Sequence, residues 1–186
     1  MNLKETEIEG CYIIEPNIIK DERGFFMESF NQQKFTALTG VDTSFVQDNM
    51  SQSSYGVIRG LHAQFGEHAQ AKLVGVLEGS VLDVVVDIRK NSASYGNHLT
   101  YKLDSVTRHQ LYIPRGLLHG FAVLSKRATF FYKCDNYYNK ESEFGVRYDD
   151  PDLDIEWVVP VNSRTLSSKD LILPSFKAID NRIKQA

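Results

Sequence analysis

The middle of the chain alternates between apolar and polar positions. Between residues 81 and 88, period two puts Leu82, Val84, Val86 and Ile88 on one face of an extended segment. Asp83 and Asp87 fall on the other face, beside Val81 and Val85. Residues 72–77 form a second apolar run, and Glu78-Gly79-Ser80 between the two reads as a hairpin turn. Strands follow at 97–103, 110–113, 117–124 and 128–133, separated by turns at 104–105, 114–116 and 125–127. A strand about every ten residues, with no long helix between, predicts an all-β fold, an antiparallel sandwich or barrel with a few short peripheral helices.

The flanks are less regular. Residues 10–16 predict a short strand ending at Pro16, and a turn at 20–24 leads into a second strand candidate at 25–30. A helix is predicted at 31–38, with Asn31 as its N-cap, Phe35 and Leu38 on one face and Gly40 as its stop. Short extended pieces follow at 44–47 and 57–64. Residues 137–157 are rich in acidic and aromatic side chains, with a turn at 149–152. Residues 160–173 read as irregular, and 176–185 as a short amphipathic helix. No repeat, low-complexity tract or linker divides the 186 residues, which predicts one domain over 1–186.

Composition narrows the functional classes. Hydrophobic residues make up 42% and charged residues 24%, the balance of a globular chain. A net charge of −3 gives no general attraction to nucleic acid, so any anion site has to be a local basic cluster. Cys11 and Cys134 are far apart and make no metal-like pair, which predicts free thiols in a reducing compartment. The first ten residues are charged, with no apolar signal region, and no apolar run reaches membrane length. The expectation is a soluble cytoplasmic protein with no membrane partner.

Candidate chemistry lies in ionisable groups set into apolar β segments: Arg59 and His62 around Gly60, then Lys72, His119 and Tyr132. Such groups cost stability unless paired or used. His62 reads as a wall histidine, a metal ligand or a general base. Residues 56–64 and 114–119 resemble the two motifs of the cupin superfamily, whose metal-binding members use two histidines one residue apart, a glutamate and a third histidine. Here the second histidine position is Gln64, a poor transition-metal ligand, and Glu67 lies too close for the usual spacing. No metal is therefore expected, and His62 is free to accept a proton, as an imidazole does near neutral pH when a carboxylate orients it. Asp170, Asp83 and Asp87 are the candidate orienters, and spacing does not choose among them. Lys72 is either a solvated strand-end lysine or a cation aimed at an oxyanion or phosphate. Tyr132 alternates with Phe130, as core aromatics do, and a phenol facing a cavity can return a proton. Arg59 and Arg23 can each fork onto phosphate or carboxylate oxygens. Strict alternation puts Arg59 and His62 on opposite faces, so a shared site requires a bulge at Gly60, or a site at the barrel mouth or a subunit interface.

Taken together and in order, a series of motifs resembles one family. They are Arg23-Gly24-Phe25-Phe26-Met27-Glu28-Ser29-Phe30, Gln47-Asp48-Asn49-Met50-Ser51, the stretch from Ile58 to His62, Ala71-Lys72-Leu73-Val74, residues 79–87 and residues 113–121. Phe131-Tyr132-Lys133, Tyr137-Tyr138 with Glu143, and Ser168-Lys169-Asp170 complete it. The chain is identified as resembling the RmlC-type dTDP-4-dehydrorhamnose 3,5-epimerases, which have a cupin (jelly-roll) fold. The resemblance implies His62 as base paired with Asp170, Tyr132 as acid, and Lys72 stabilising the enolate. It implies substrate contacts from Arg23, Phe26 (beside the nucleotide base), Glu28, Gln47, Asn49, Arg59, Lys72, His119, Glu143 and Lys169. It also implies a dTDP-linked deoxy-ketosugar substrate, no metal or redox cofactor, and a homodimer whose sites are shared through an exchanged N-terminal strand. Departures from the family pattern stand at Ala63, Gly75, Leu117-Leu118 and Asn139-Lys140. They leave room for a changed sugar or for inversion at one carbon only, by a 3- or 5-epimerase acting on a related nucleotide-linked ketosugar. A metal-dependent cupin oxygenase and a non-catalytic sugar-binding cupin are the readings from other classes.

Overall fold

A computed structural model describes residues 1–183. Two antiparallel sheets face each other. The first runs in the order β1 (Asn2–Glu5), β2 (Tyr12–Glu15), β10 (Gln110–Ile113), β7 (Lys72–Glu78), β12 (Arg127–Cys134) and β5 (Gln47–Ser54). The second runs β13 (Glu143–Gly145), β6 (Ile58–Gln64), β11 (Leu117–Val123), β8 (Ser80–Asp87) and β9 (His98–Asp104). A separate hairpin joins β3 (Ile18–Asp21) to β4 (Gly24–Met27) and, among the described residues, pairs with no other strand. Among the described residues there are three short α-helices, α1 (Gln32–Thr39), α2 (Ser168–Leu171) and α3 (Phe176–Ile183), and three single 3₁₀ turns. This is the antiparallel, jelly-roll architecture expected from the strand spacing, with its few peripheral helices.

The alternation along β8 explains the layering. Val81 and Val85 pack between the sheets with Val74, Leu103, Leu111, Phe121 and Phe130. Leu82, Val84, Val86 and Ile88 point the other way, into a second core that Val146, Leu153, Trp157 and Val159 cover from the C-terminal segment. A third cluster, built on Ile14, Phe35, Ala71, Leu73 and Tyr112, seats α1 on the outer face of the first sheet. Each such buried aliphatic or aromatic side chain contributes about 1.5–3 kcal/mol relative to exposure. Asp83 and Asp87 share the inner-facing set of β8 and are fully buried, so each needs a partner.

Several expectations change. Glu78-Gly79-Ser80 is not a hairpin turn: β7 pairs with β10 and β12, whereas β8 pairs with β9 and β11. The chain crosses there from one sheet to the other, and Gly79 (φ +79°) lies so close to the Arg127 carbonyl and Ala128 that a side chain has no room. The polar stretch from Gln47 to Ser54, expected to be extended only up to residue 47, is a full eight-residue strand at the sheet edge. Its Gln47, Asn49, Ser51 and Ser53 face partly inward although none is apolar. Asn2–Glu5 and Glu143–Gly145 add the unexpected strands β1 and β13. Within 160–173, where irregular chain was expected, α2 forms a single turn capped by Ser167. Helix α1 has its expected caps, with Asn31 accepting from the Lys34 N–H and Gly40 closing it in the left-handed region. Phe35 is buried as expected, but Leu38 on the supposed apolar face is 39% exposed. The last residues of the expected C-terminal helix, 184–185, lie outside the described residues. Among the described residues, no helix is long and apolar enough to cross a membrane. Cys11 and Cys134 are buried free thiols.

Candidate active site

The open end of the sandwich holds a cavity of about 470 Å³, walled by both sheets. From the second sheet come Arg59 and His62 of β6 and His119 of β11; from the first come Lys72 of β7, Tyr132 of β12 and Ser51 of β5. Thr165, Leu166, Ser167, Lys169 and Asp170 close the remaining side.

Gly60 is the local device that lets Arg59 and His62 share this space. His119 pairs with His62 and Phe121 with Arg59, so two residues of β6, Gly60 and Leu61, stand opposite Gly120 alone. That extra residue is a β-bulge, and it resets the face on which the strand presents its side chains. Gly60 adopts φ +120°, and a Cβ there would come within 2.6 Å of Gly120 Cα and 2.8 Å of the His119 carbonyl oxygen. Only glycine fits.

Among the three candidate orienters the structure selects Asp170 for His62. The His62 Nε2–H donates to Asp170 Oδ1 at 2.7 Å, and the two side chains are 27% and 5% exposed. Burial pushes the Asp170 carboxyl up, but hydrogen bonds from His62, Ser167 and the Gly60 N–H outweigh it and hold the group below the usual carboxylate range. With Nε2 engaged, Nδ1 is the His62 nitrogen left to accept a proton. Asp83 instead serves His119, whose Nε2 lies 3.0 Å from one of its carboxylate oxygens and 3.2 Å from the other. Asp87 takes Arg89, Ser92 and Ser94 as partners and plays no part in the cavity.

Across the cavity, burial drives the Lys72 ammonium below its ordinary pKa, opposed by Cys134, Asp83 and Glu143. Burial raises the Tyr132 phenol, with Cys134 and Glu143 adding to it and Arg59 opposing. At the mouth, Glu143 accepts from Lys169 Nζ at 2.5 Å and from the Tyr138 hydroxyl at 2.7 Å. Arg59 Nε donates to Ser53 Oγ at 3.1 Å, which aims its guanidinium along the edge strand.

Other residues named from the sequence lie outside this space. Gln47 and Asn49 sit on β5 beside it, hydrogen-bonded to each other; Gln47 Oε1 accepts from the Tyr138 N–H, and the Asn49 amide faces Cys134. Arg23, Phe26 and Glu28 are on or just after the β3–β4 hairpin and do not line the cavity. There Arg23 pairs with Asp21, Glu28 with Lys34, and Phe26 is 69% exposed. Ser51, Thr165, Leu166 and Ser167 line the cavity without having been singled out; the inward alternation of polar residues on β5 is the signal that marks Ser51. Gln64 is buried and occupied, its amide donating to the His68 carbonyl and accepting from the Asn139 N–H. No group of three or more His, Cys, Asp or Glu is gathered to hold a metal among the described residues. The departures from the family pattern also lie away from the cavity walls. Ala63 and Leu118 are in the outer core, Leu117 is between the sheets, and Asn139 caps a short 3₁₀ turn. Gly75 lies over Gln110 and His109.

A family profile described as dTDP-4-dehydrorhamnose 3,5-epimerase matches residues 5–178. The chain belongs to that family. It is an epimerase of the isomerase class. The dTDP-4-dehydrorhamnose 3,5-epimerase of Escherichia coli (strain K12) is 49% identical over 170 residues, 91% of each chain. A crystal structure of the Legionella pneumophila epimerase RmlC in complex with dTDP-4-keto-L-rhamnose is 46% identical, covers 98% of this chain and 96% of that one, and superposes with a TM-score of 0.94. The same fold also serves ChmJ, a 3'-monoepimerase from Streptomyces bikiniensis, at 32% identity over 98% of this chain and 90% of that one, with a TM-score of 0.89.

Proposed function

We propose that this epimerase inverts C3 and C5 of a dTDP-linked 4-keto-6-deoxyhexose, in the formation of dTDP-4-dehydrorhamnose. One observation carries the assignment of roles: the carboxylate-backed His62 and the phenol of Tyr132 reach the same cavity from opposing sheets. The C4 ketone acidifies the C–H bonds on either side of it. His62 takes a proton through Nδ1, Asp170 stabilises the imidazolium that forms, and Lys72 faces the negative charge that develops on O4. A positioned donor of that kind contributes about 3–4 kcal/mol to the transition state. Tyr132, whose raised pKa keeps its proton at neutral pH, delivers that proton to the opposite face of the carbanion. After each inversion the His62 imidazolium releases its proton to solvent and the Tyr132 phenolate takes one up. Two such rounds invert both centres, with no step that calls for a metal or redox cofactor. A structure of ChmJ with dTDP was solved as a variant in which a histidine and a tyrosine were replaced. Those two positions are as far apart in that chain as His62 and Tyr132 are here.

The nucleotide is held at the mouth by Arg59, His119, Glu143 and Lys169, with Gln47 and Asn49 from the edge strand. Arg23, Phe26 and Glu28 complete the site from a second copy of the chain. In support, among the described residues the β3–β4 hairpin pairs only with itself, Arg23, Phe26 and Glu28 do not line the chain's own cavity, and Ile19, Phe25 and Phe26 are about half exposed or more, at 57%, 49% and 69%. The protein is accordingly a homodimer with shared sites and acts in the cytoplasm. Inversion at a single carbon, the ChmJ reaction, is the second reading. NMR of the purified protein with dTDP-4-keto-6-deoxyglucose in D2O separates the two. Deuterium at C3 and C5 is the expected result, deuterium at one carbon establishes the single inversion, and none at either defeats both.

A further inference from the structure

Behind the cavity wall lies a charge that the scheme above does not use. Asp83 is fully buried on the inner face of β8, and among the described residues its hydrogen-bond partner is His119, through both carboxylate oxygens. An unneutralised carboxylate in such a place is strongly destabilising, so a fold that keeps one has a cation for it to serve. We propose that Asp83 is a positioning residue for the oxyanion side of the site: its carboxylate fixes the His119 ring by Nε2 and supplies the standing negative charge that keeps Lys72 an ammonium. The proposal rests on the epimerase reading.

The groups around Lys72 support this choice. Tyr132 of β12, His62 and Arg59 of β6, His119 of β11, and Lys169 and Asp170 line the same cavity as Lys72. Cys134 is its cross-strand partner on β12, and Cys134, Asp83 and Glu143 favour its ammonium electrostatically. Cys134 is a neutral thiol at physiological pH, because burial pushes its pKa up to about 11. Tyr132 is a neutral phenol for the same reason. Glu143 is already shared between Lys169 and Tyr138. Asp170, which lines the same cavity, is taken up by His62. That leaves Asp83 as the carboxylate available to the buried ammonium. Around Asp83 itself stand His119, Lys72, the neutral thiol of Cys11, raised to about 12 by burial, and Tyr101, its cross-strand neighbour on β9. The His119 ring is further held by stacking on Phe130, with centroids 6.0 Å apart. With Nε2 tied to Asp83, Nδ1 is the His119 nitrogen left for the substrate.

Asp83→Asn tests this, because the amide keeps the shape and an oxygen for His119 but removes the charge. Deuterium wash-in from D2O is followed across pH for wild type and variant. The expected result is a kcat roughly 10- to 100-fold lower near pH 8 with KM within about threefold, and an alkaline limb moved down by about one pH unit. A variant with the wild-type pH profile, or one whose rate falls uniformly in step with a lowered melting temperature, assigns Asp83 a purely structural role and overturns the proposal. If the variant does not fold, NMR titration of the Lys72 ζ-nitrogen in the wild-type protein decides: an ammonium at pH 7.5 supports the proposal and a neutral amine overturns it. Wild-type protein that exchanges no deuterium defeats the epimerase reading instead, and the same titration then still judges Asp83.

Discussion

Two imidazoles face each other across β6 and β11, and each is hydrogen-bonded to a carboxylate, yet the pairs are built differently. His62 is 27% exposed, and its Asp170 arrives from a one-turn helix 108 residues later in the chain. His119 is 8% exposed, and its Asp83 lies in a central strand with a neighbour on either side. The first pair opens to the cavity at one end and rests on the one-turn helix α2 at the other. The second is enclosed by sheet. A base has to meet substrate and change charge in every turnover, which favours the accessible pair. A charge that only has to stand still is best set in the stiffest part of the fold. The same two side chains thus do different work according to what surrounds them.

The sharpest way to break this comparison is to disable each ring in turn. His62→Asn is expected to lower deuterium incorporation at C3 and C5 by roughly 10³- to 10⁴-fold. His119→Asn keeps measurable exchange and loses mainly in substrate affinity, seen as a raised KM. Equal losses in kcat from the two variants would sink the division of labour.

A smaller effect tests what aligns the rings. Gly60→Ala places a methyl 2.6 Å from Gly120 Cα in a backbone conformation that alanine avoids. The cost is about 2–3 kcal/mol, or roughly 4–12 °C in melting temperature for a chain of this size. Because the bulge lets Arg59 and His62 share one cavity, the residual folded protein is expected to lose activity as well. Unchanged melting would mean that the bulge is not needed at that position.

How far this was legible in the sequence differs between the same two regions. The β8 pair lies in strands whose alternation declares them, and period two put Asp83 on the face of Val81 and Val85; that both faces of β8 are buried is seen only in the structure. The bulge at Gly60 was one of three ways in which Arg59 and His62 could share a site, and the register of β6 against β11 selects it. Which carboxylate serves which imidazole could not be read from spacing; the pairing of His62 with Asp170 came only from the family resemblance, and the structure shows it. Asp170 lies in a stretch with no apolar period, and what brings it to His62 is a Ser167 cap and a contact with the Gly60 N–H. β5 was missed for a related reason: an edge strand facing a polar cavity carries Gln47, Asn49, Ser51 and Ser53 where a core strand would carry Val or Ile. The turn at Gly79 misled because hairpins and sheet-to-sheet crossings use the same residues, and only long-range pairing separates them.

The smallest expected effect concerns stability. Burial pushes the carboxyls of Asp170 and Asp87 up, and in both the hydrogen bonds win: Asp170 ends below its ordinary range, and Asp87, held by Arg89, Ser92 and Ser94, at about 2. Each therefore binds its proton less readily in the folded chain than in the unfolded one. Their stabilisation is fully present above the ordinary carboxylate pKa of about 3.9 and is lost as the pH falls through the folded value. For Asp87 that window runs from about pH 4 down to about 2. Asp87→Asn is expected to lower the melting temperature at neutral pH, and Asp170→Asn to lower it less, by about 2–4 °C for a loss near 1 kcal/mol. Thermal melts between pH 7 and pH 3 should show both differences narrowing with acid. For Asp170 the further comparison is with rate: a carboxylate whose main task is to stabilise an imidazolium costs far more in exchange than in melting. A variant that melted well below wild type while retaining most of its exchange would instead place Asp170 with Asp87, as a strut of the fold.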